Sequence, residues 1–377
     1  MNYKSISKLF MLGFILAFMF SSCTKEGPMG PAGANGIDGT NGTDGTDGVD
    51  GNVSCLVCHS AEVMDEITLA FATTKHVTGS SWARGTSSSC GRCHSSDGFV
   101  EYTRSGEAIG AAISTSMSCE TCHDNHSSLE EGITAPLRDV GDEVEFIANP
   151  GTSRDFEAGN LCATCHQARR PHTDYYASEA KTATRTFTGD DIAVYQAHGA
   201  VGPNGSKTLN ATKDTLTVVF DIPTTHVYTS STHAGPHHGP QANIIAANIG
   251  TAQGVPFEAP HHNCVNCHLH GDAGGHGHTF APDYPTMCND CHGDLVDVEG
   301  DQAAIAARMA VVEAALEDIG AIHVAADGVH PMYASLPKAQ WDAFWNFMCL
   351  WEDSSHGVHN FVYADQLLDQ AENALGL

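Results

Sequence analysis

The sequence predicts a mainly α-helical fold with extensive loops, a small β-hairpin near 182–228 and a C-terminal helical bundle. Three observations carry that reading. Ile305, Met309, Val312, Leu316 and Ile319 recur at spacings of 4, 3, 4 and 3, which places them on one face of a helix. Thr215–Asp221 reads TLTVVFD, an alternating β-branched run, with 182–188 as its expected hairpin partner. Between these signals the chain is rich in Gly, Ser and Thr, and short Cys-containing runs interrupt it too often for long helices.

Within 301–377 the periodic segment is the first helix. A second is expected after Leu336-Pro337, with Trp341, Phe344, Trp345 and Met348 on one face, and a third over 362–375. Cys349 falls in the aromatic helix and reads as a buried, inert thiol.

Twelve of the 14 cysteines lie in six Cys-x-x-Cys-His runs: Cys55, Cys58, His59; Cys90, Cys93, His94; Cys119, Cys122, His123; Cys162, Cys165, His166; Cys264, Cys267, His268; and Cys288, Cys291, His292. Composition alone would give roughly 0.03 such runs. Zinc sites and disulfide frameworks also use paired cysteines, but neither accounts for a histidine directly after every second Cys. The motif is that of haem c attachment. One helical turn holds the two thiols at the separation of the porphyrin vinyl groups, and the next residue lies under the ring as the proximal iron ligand. The cofactor expectation is therefore six covalently bound haem c groups. First cysteines are 35, 29, 43, 102 and 24 residues apart. Such gaps leave little room for a protein core, so the fold class becomes a multihaem cytochrome c fold organised around stacked haems.

Haem c is attached outside the cytoplasm, and the N-terminus carries the signal for that route. Lys4 and Lys8 precede a 12-residue apolar stretch, 9–20, too short to span a bilayer. It ends in Phe20-Ser21-Ser22-Cys23, which resembles a bacterial lipobox, so residues 1–22 read as a lipoprotein signal peptide and Cys23 as the lipidation site. Residues 23–52 form the next region. From Gly27 to Gly51 every third residue is Gly, the requirement of a collagen triple helix, although only the first two triplets contain Pro. This collagen-like segment reads as an extended tether of at most about 75 Å at ~3.1 Å per residue, or as a trimeric stalk that would make the protein a homo-oligomer. Residues 53–300 are then the hexahaem domain, and 301–377 the helices that complete it.

The formal charge of −28 makes nucleic acid an implausible partner. Redox partner proteins or extracellular acceptors fit better, with the membrane reached only through the lipid anchor. The expected location is the outer membrane, on its cell-surface or periplasmic face.

Each haem iron has a second axial position, and 17 histidines remain for it. The densest cluster is His233-Ala-Gly-Pro-His237-His238-Gly-Pro-Gln241-Ala. That run resembles the distal-ligand segment of multihaem cytochromes related to hydroxylamine oxidoreductase and octahaem tetrathionate reductase. The C-terminal Gly357-Val358-His359-Asn360 resembles the end of those proteins and of pentahaem nitrite reductase, with Phe361 where a Pro is common. Gly277-His278-Thr279-Phe280 resembles a GGHTF ligand run. The resemblance implies His238, His278 and His359 as distal ligands, with His233 next. Local context adds His76, which leads into the second motif, and His126, three residues past His123. His172, His198 and His226 are weaker candidates.

Bis-histidine ligation without methionine favours low-potential electron carriage, so the expected function is electron transfer between a respiratory donor and an outer or extracellular acceptor. The resemblance also implies an alternative, a reductase or oxidase of small nitrogen or sulfur compounds with one open-coordinate haem. No Cys-x-x-Cys-Lys is present, however, and the octahaem enzymes have two more motifs. A third reading makes the chain one subunit of a cytochrome filament. No residue is assigned a catalytic role.

Overall fold

The computed structural model describes residues 59–124, 137–199, 207–212, 214–252, 254–257, 263–270, 277–282, 287–288 and 297–377. All lie in the second of the two units into which the chain divides, Val53–Leu377. Residues 1–52, Cys55, Cys58, His126, Cys291 and His292 lie outside the described residues.

The described chain is rich in helix, with small sheets. Its helices are α1 (Ala61–Ala72), α2 (Lys75–Thr78), α3 (Ser88–His94), α4 (Ser96–Ser105), α5 (Cys119–Cys122), α6 (Asn160–Ala163), α7 (Asp191–Val194), α8 (Gln241–Ile245), α9 (Cys264–His268), α10 (Val298–Asp318), α11 (Lys338–Asp353) and α12 (Phe361–Leu375). None of them is long and apolar enough to cross a membrane.

The short strands β1 (Val144–Glu145) and β2 (Ser153–Arg154) pair antiparallel. The strand expected over 215–221 is β5 (Leu216–Ile222), and β3 (Lys181–Phe187) pairs with it antiparallel from Lys181↔Ile222 to Phe187↔Leu216. The arrangement is a three-stranded sheet rather than a two-stranded hairpin. The strand β4 (Lys207–Ala211) comes between them in sequence and takes the other edge of β5. Alternation does the rest: Leu216, Val218, Phe220 and Ile222 point inward and are buried with Phe187, Tyr195, Tyr228 and Met332.

Residues 301–377 are not helical throughout. Between α10 and α11, β7 (Ile322–Ala325) and β8 (Gly328–Pro331) form a hairpin, and β9 (Ala334–Pro337) pairs with β6 (His226–Thr229). Pro331 and Pro337 exclude a continuing helix, and the short alternating runs around them are long enough only for a few ladder bonds. The strand pair β6–β9 ties the sheet region to the helices.

The main apolar core lies around α10, α11 and α12. Ile305, Met309, Val312 and Leu316, the face anticipated from spacing, pack with Trp341, Phe344, Trp345, Met348, Tyr363, Leu367 and Leu368. Cys349 is fully buried there, and burial pushes its thiol well up from the usual cysteine range. By contrast, residues 59–124 contribute only Phe99 and Ala111 to the buried apolar set. Helix α1 buries none of its side chains despite Leu69 and Phe71. Leu69, Trp82, Ile109 and Ile113 are all substantially exposed. The segment that carries motifs has apolar surface but little protein core to cover it.

Candidate haem-binding centres

Four of the six Cys-x-x-Cys-His runs start or lie in a single helical turn: α3, α5, α6 and α9 carry those of Cys90, Cys119, Cys162 and Cys264. The caps explain why such short turns hold. Ser118 and Thr121 make a reciprocal capping box around α5, and the Asn263 side chain accepts from the backbone N–H of Asn266 at the start of α9. Arg138 fastens α5 from outside, donating to the carbonyl of Glu120 at 2.7 Å and to that of His123 at 3.2 Å.

The motif turns also lean on one another. Arg92 donates to the Thr164 carbonyl at 3.2 Å, while the Cys165 sulfur lies 3.7 Å from the carbonyl of Arg92. Cys93 Sγ lies 4.0 Å from the Thr164 carbonyl, and Cys264 Sγ lies 3.8 Å from that of Gly159, at the start of the Cys162 turn. The run at Cys162 therefore touches the runs at Cys90 and Cys264. Gly91, between the thiols of the Cys90 run, is needed: a Cβ there would stand 2.1 Å from the carbonyl of Ile109.

Each of four motif histidines faces another histidine from far away in sequence. His166 and His76 have ring centroids 6.0 Å apart, His94 and His237 5.9 Å, His123 and His278 6.3 Å, and His268 and His359 6.3 Å. Two imidazoles bonded to opposite sides of one metal ion through nitrogens at about 2.0–2.1 Å have centroids roughly 6 Å apart. The pairs have that spacing.

Hydrogen bonding fixes which ring nitrogen is available. His166 Nδ1 lies 3.2 Å from Gln241 Oε1, and His268 Nδ1 lies 2.9 Å from the carbonyl oxygen of Phe280. Both acceptors require Nδ1–H as donor, which leaves Nε2 as the basic nitrogen. His359 Nδ1 is 2.7 Å from Oδ1 of Asp353, whose side chain is fully buried. Protonation follows the same logic. Burial lowers His76, His94 and His268, and pushes His166 and His237 down to about 4. A neutral imidazole is the metal-binding form. For His359 burial acts downward, but the charge and hydrogen bond of Asp353 lift it above its ordinary value.

Among the anticipated distal residues, His76, His278 and His359 each stand opposite a motif histidine. His76 faces the fourth run rather than the second, into which it leads. His238 does not take the place expected of it. The ring opposite His94 belongs to His237, which the sequence did not single out. His237 has φ +80° between Gly235-Pro236 and Gly239, and its ring lies between those of His94 and His238, at 5.9 and 5.6 Å. His238 is exposed, with Nδ1 3.8 Å from Glu352 Oε2. His233 is exposed too, its Nδ1 3.3 Å from the Thr232 hydroxyl. Neither ring faces a motif histidine among the described residues. The weaker candidate His172 packs instead on Trp345 and Tyr176, and His226 Nδ1 lies 3.0 Å from the Thr225 hydroxyl. Gln241 is a second residue that sequence reasoning passed over. It sits in the same run as His237 and holds the ring of a different motif.

The residues present fit covalently bound haem. Paired thiols lie on one turn, histidines face each other at the spacing of a shared metal, and apolar side chains of 59–124 such as Leu69 and Ile113 are left exposed.

No family model matches the chain, and no curated protein does. Two solved structures resemble it. One is the outer cell wall cytochrome OcwA, at 17% identity over 82% of this chain and 50% of that one, with a TM-score of 0.46. The other is the undecahaem cytochrome from the S-layer of Carboxydothermus ferrireducens, at 18% identity over 82% of this chain and 40% of that one, with a TM-score of 0.41. The chain thus spans half or less of the length of the solved cytochromes it resembles.

Proposed function

We propose that this chain is an exported c-type cytochrome that carries six haem c groups and transfers electrons. The observation that carries the proposal is the facing of four motif histidines by four others at 5.9–6.3 Å. When bound, haem c supplies a one-electron couple between ferric and ferrous iron. The protein's own residues do the rest. The six cysteine pairs hold the porphyrins, and His59, His94, His123, His166, His268 and His292 are the proximal ligands. His237, His278, His76 and His359 are the distal ligands of the second, third, fourth and fifth sites. With two histidines available to hold each of those groups, bound haem would supply electron transfer rather than a site for substrate.

The contacts between motif turns support close transfer among the second, fourth and fifth sites. Lipidation at Cys23 and the Gly-X-Y segment would hold the carrier at the outer membrane and away from its surface, facing a respiratory donor on one side and an outer or extracellular acceptor on the other.

The test is haem quantification with low-temperature EPR on the oxidised, purified protein. Six haems per chain, all low-spin, is the expected result. A stoichiometric high-spin haem would replace the carrier reading with that of a reductase or oxidase, and nitrite, hydroxylamine and tetrathionate would be the substrates to assay.

A further inference from the structure

Phe280 stands where three of these sites meet. Its backbone is in the left-handed region, with φ +56°, a conformation that a bulky residue adopts only when its surroundings impose it. Its carbonyl accepts the hydrogen bond from His268 Nδ1 at 2.9 Å. Its ring meets that of His76 edge to face, at 5.0 Å and 89°, and lies 6.2 Å from that of His278. Phe71 of α1 backs the same ring at 6.2 Å. Those three histidines belong to three different facing pairs. Gly277 makes the approach feasible: its φ is +53°, and a Cβ there would stand 2.3 Å from the Leu269 carbonyl oxygen.

The facing pairs fall into two classes by the angle between their ring planes. The planes of His76 and His166 cross at 83° and those of His94 and His237 at 76°, whereas His123 with His278 and His268 with His359 make only 26° and 37°. In low-spin ferric haem, crossed imidazole planes leave the two iron orbitals that π-bond to the rings nearly degenerate. The EPR signal is then strongly axial, with one large g value. Near-parallel planes split those orbitals and give a rhombic signal. Something must hold each plane, because rotation about an iron–nitrogen bond is otherwise soft. For His166 and His268 a hydrogen bond at Nδ1 does so. No hydrogen bond is made to the His76 ring among the described residues, and its edge-to-face contact with Phe280 is what fixes it.

We infer that Phe280 is a positioning residue shared by three haem sites: its ring sets the plane of His76 and packs against His278, and its carbonyl sets the tautomer of His268. The inference rests on the haem-binding reading above.

The experiment is EPR with spin integration on the oxidised holoprotein, comparing wild type with F280G and F280Y, and haem quantified in each. Glycine tolerates the positive φ and keeps the carbonyl, so only the ring is lost. F280G should lose one haem equivalent of the axial signal, as His76 becomes free to turn, while the axial contribution of the His94–His237 site persists. F280Y, which keeps the ring, should match wild type. If F280G sheds haem, F280L carries the test with the same readout. An F280G or F280L protein that retains every haem and shows the wild-type spectrum overturns the inference, as does one that loses both axial contributions together. A wild-type protein without covalent haem would instead overturn the underlying reading, before any variant is compared.

Discussion

Replacing Asp353 by Asn probes the most sharply defined ligand support in the molecule. The Asp353 side chain is fully buried, its Oδ1 is 2.7 Å from His359 Nδ1, and its Oδ2 accepts from the backbone and hydroxyl of Ser355. A carboxylate held this way makes the imidazole a stronger electron donor and favours the oxidised iron, which carries the extra positive charge. Asn is nearly isosteric and its Oδ1 can still accept from Nδ1–H; its Nδ2 can donate to the Ser355 hydroxyl but no longer accepts from the Ser355 N–H, so at the His359 ring the perturbation is the loss of charge. A hydrogen bond to a charged group contributes about 1.5–3 kcal/mol. If about half of that is felt only by the oxidised state, the difference is of the order of 1 kcal/mol. Since about 1.4 kcal/mol corresponds to ~59 mV for one electron, D353N should raise the potential of one haem by roughly 30–70 mV and leave the others nearly unchanged. A spectroelectrochemical titration of wild type and variant at one pH, with haem content matched, resolves a shift of that size. The reasoning fails if the variant keeps all its haems and no component moves upward, or if a component moves down.

Other consequences follow from the same geometry. H237A should convert one haem from low-spin to high-spin, whereas H238A should leave the low-spin count intact; EPR or the optical high-spin band distinguishes them, and the reverse pattern would return the ligand to the position expected from sequence. Trp345 is fully buried and donates through Nε1 to the Ile249 carbonyl at 2.9 Å, so W345A should destabilise the fold by about 3–5 kcal/mol in denaturant unfolding. Burial raises Glu352 from 4.5 to about 8, so the folded state holds a proton that the unfolded state has released. Its contribution to stability is complete below about pH 4.5 and is lost as pH rises through about 8. E352Q should therefore become progressively more stable than wild type across that window, which unfolding at a series of pH values measures; a constant difference would remove Glu352 as the cause.

Much of the local structure was legible because its causes are local. The spacing of Cys, Cys and His suits one helical turn wherever that turn sits, and four of the runs adopt it. The 4-3-4-3 face of α10 and the alternation of β5 also follow from side chains a few residues apart. The third strand of the sheet and the strands of 322–337 were less legible. Two- to seven-residue pairings depend on which distant backbone edge is available, and the single alternating run does not state how many partners it has.

The pairing of histidines was decided by tertiary structure alone. His76 reaches His166, His94 reaches His237, His123 reaches His278 and His268 reaches His359 across loops of 90 or more residues, and nothing in the intervening sequence encodes those distances. Sequence determined that the chain offers six Cys-x-x-Cys-His runs and a surplus of histidines beyond them. It pointed at the His233–Gln241 run and within it at His238, whereas the ring that faces His94 is that of His237. There a positive φ at His237 and the glycines on either side set which of two adjacent rings turns toward His94, and the choice depends on how the whole loop packs against α11. The same holds for Phe280 and Gln241. Gln241 holds the ring of His166, 75 residues away, and the Phe280 ring meets that of His76, because a support is defined by what lies against it in space rather than by its neighbours in the chain.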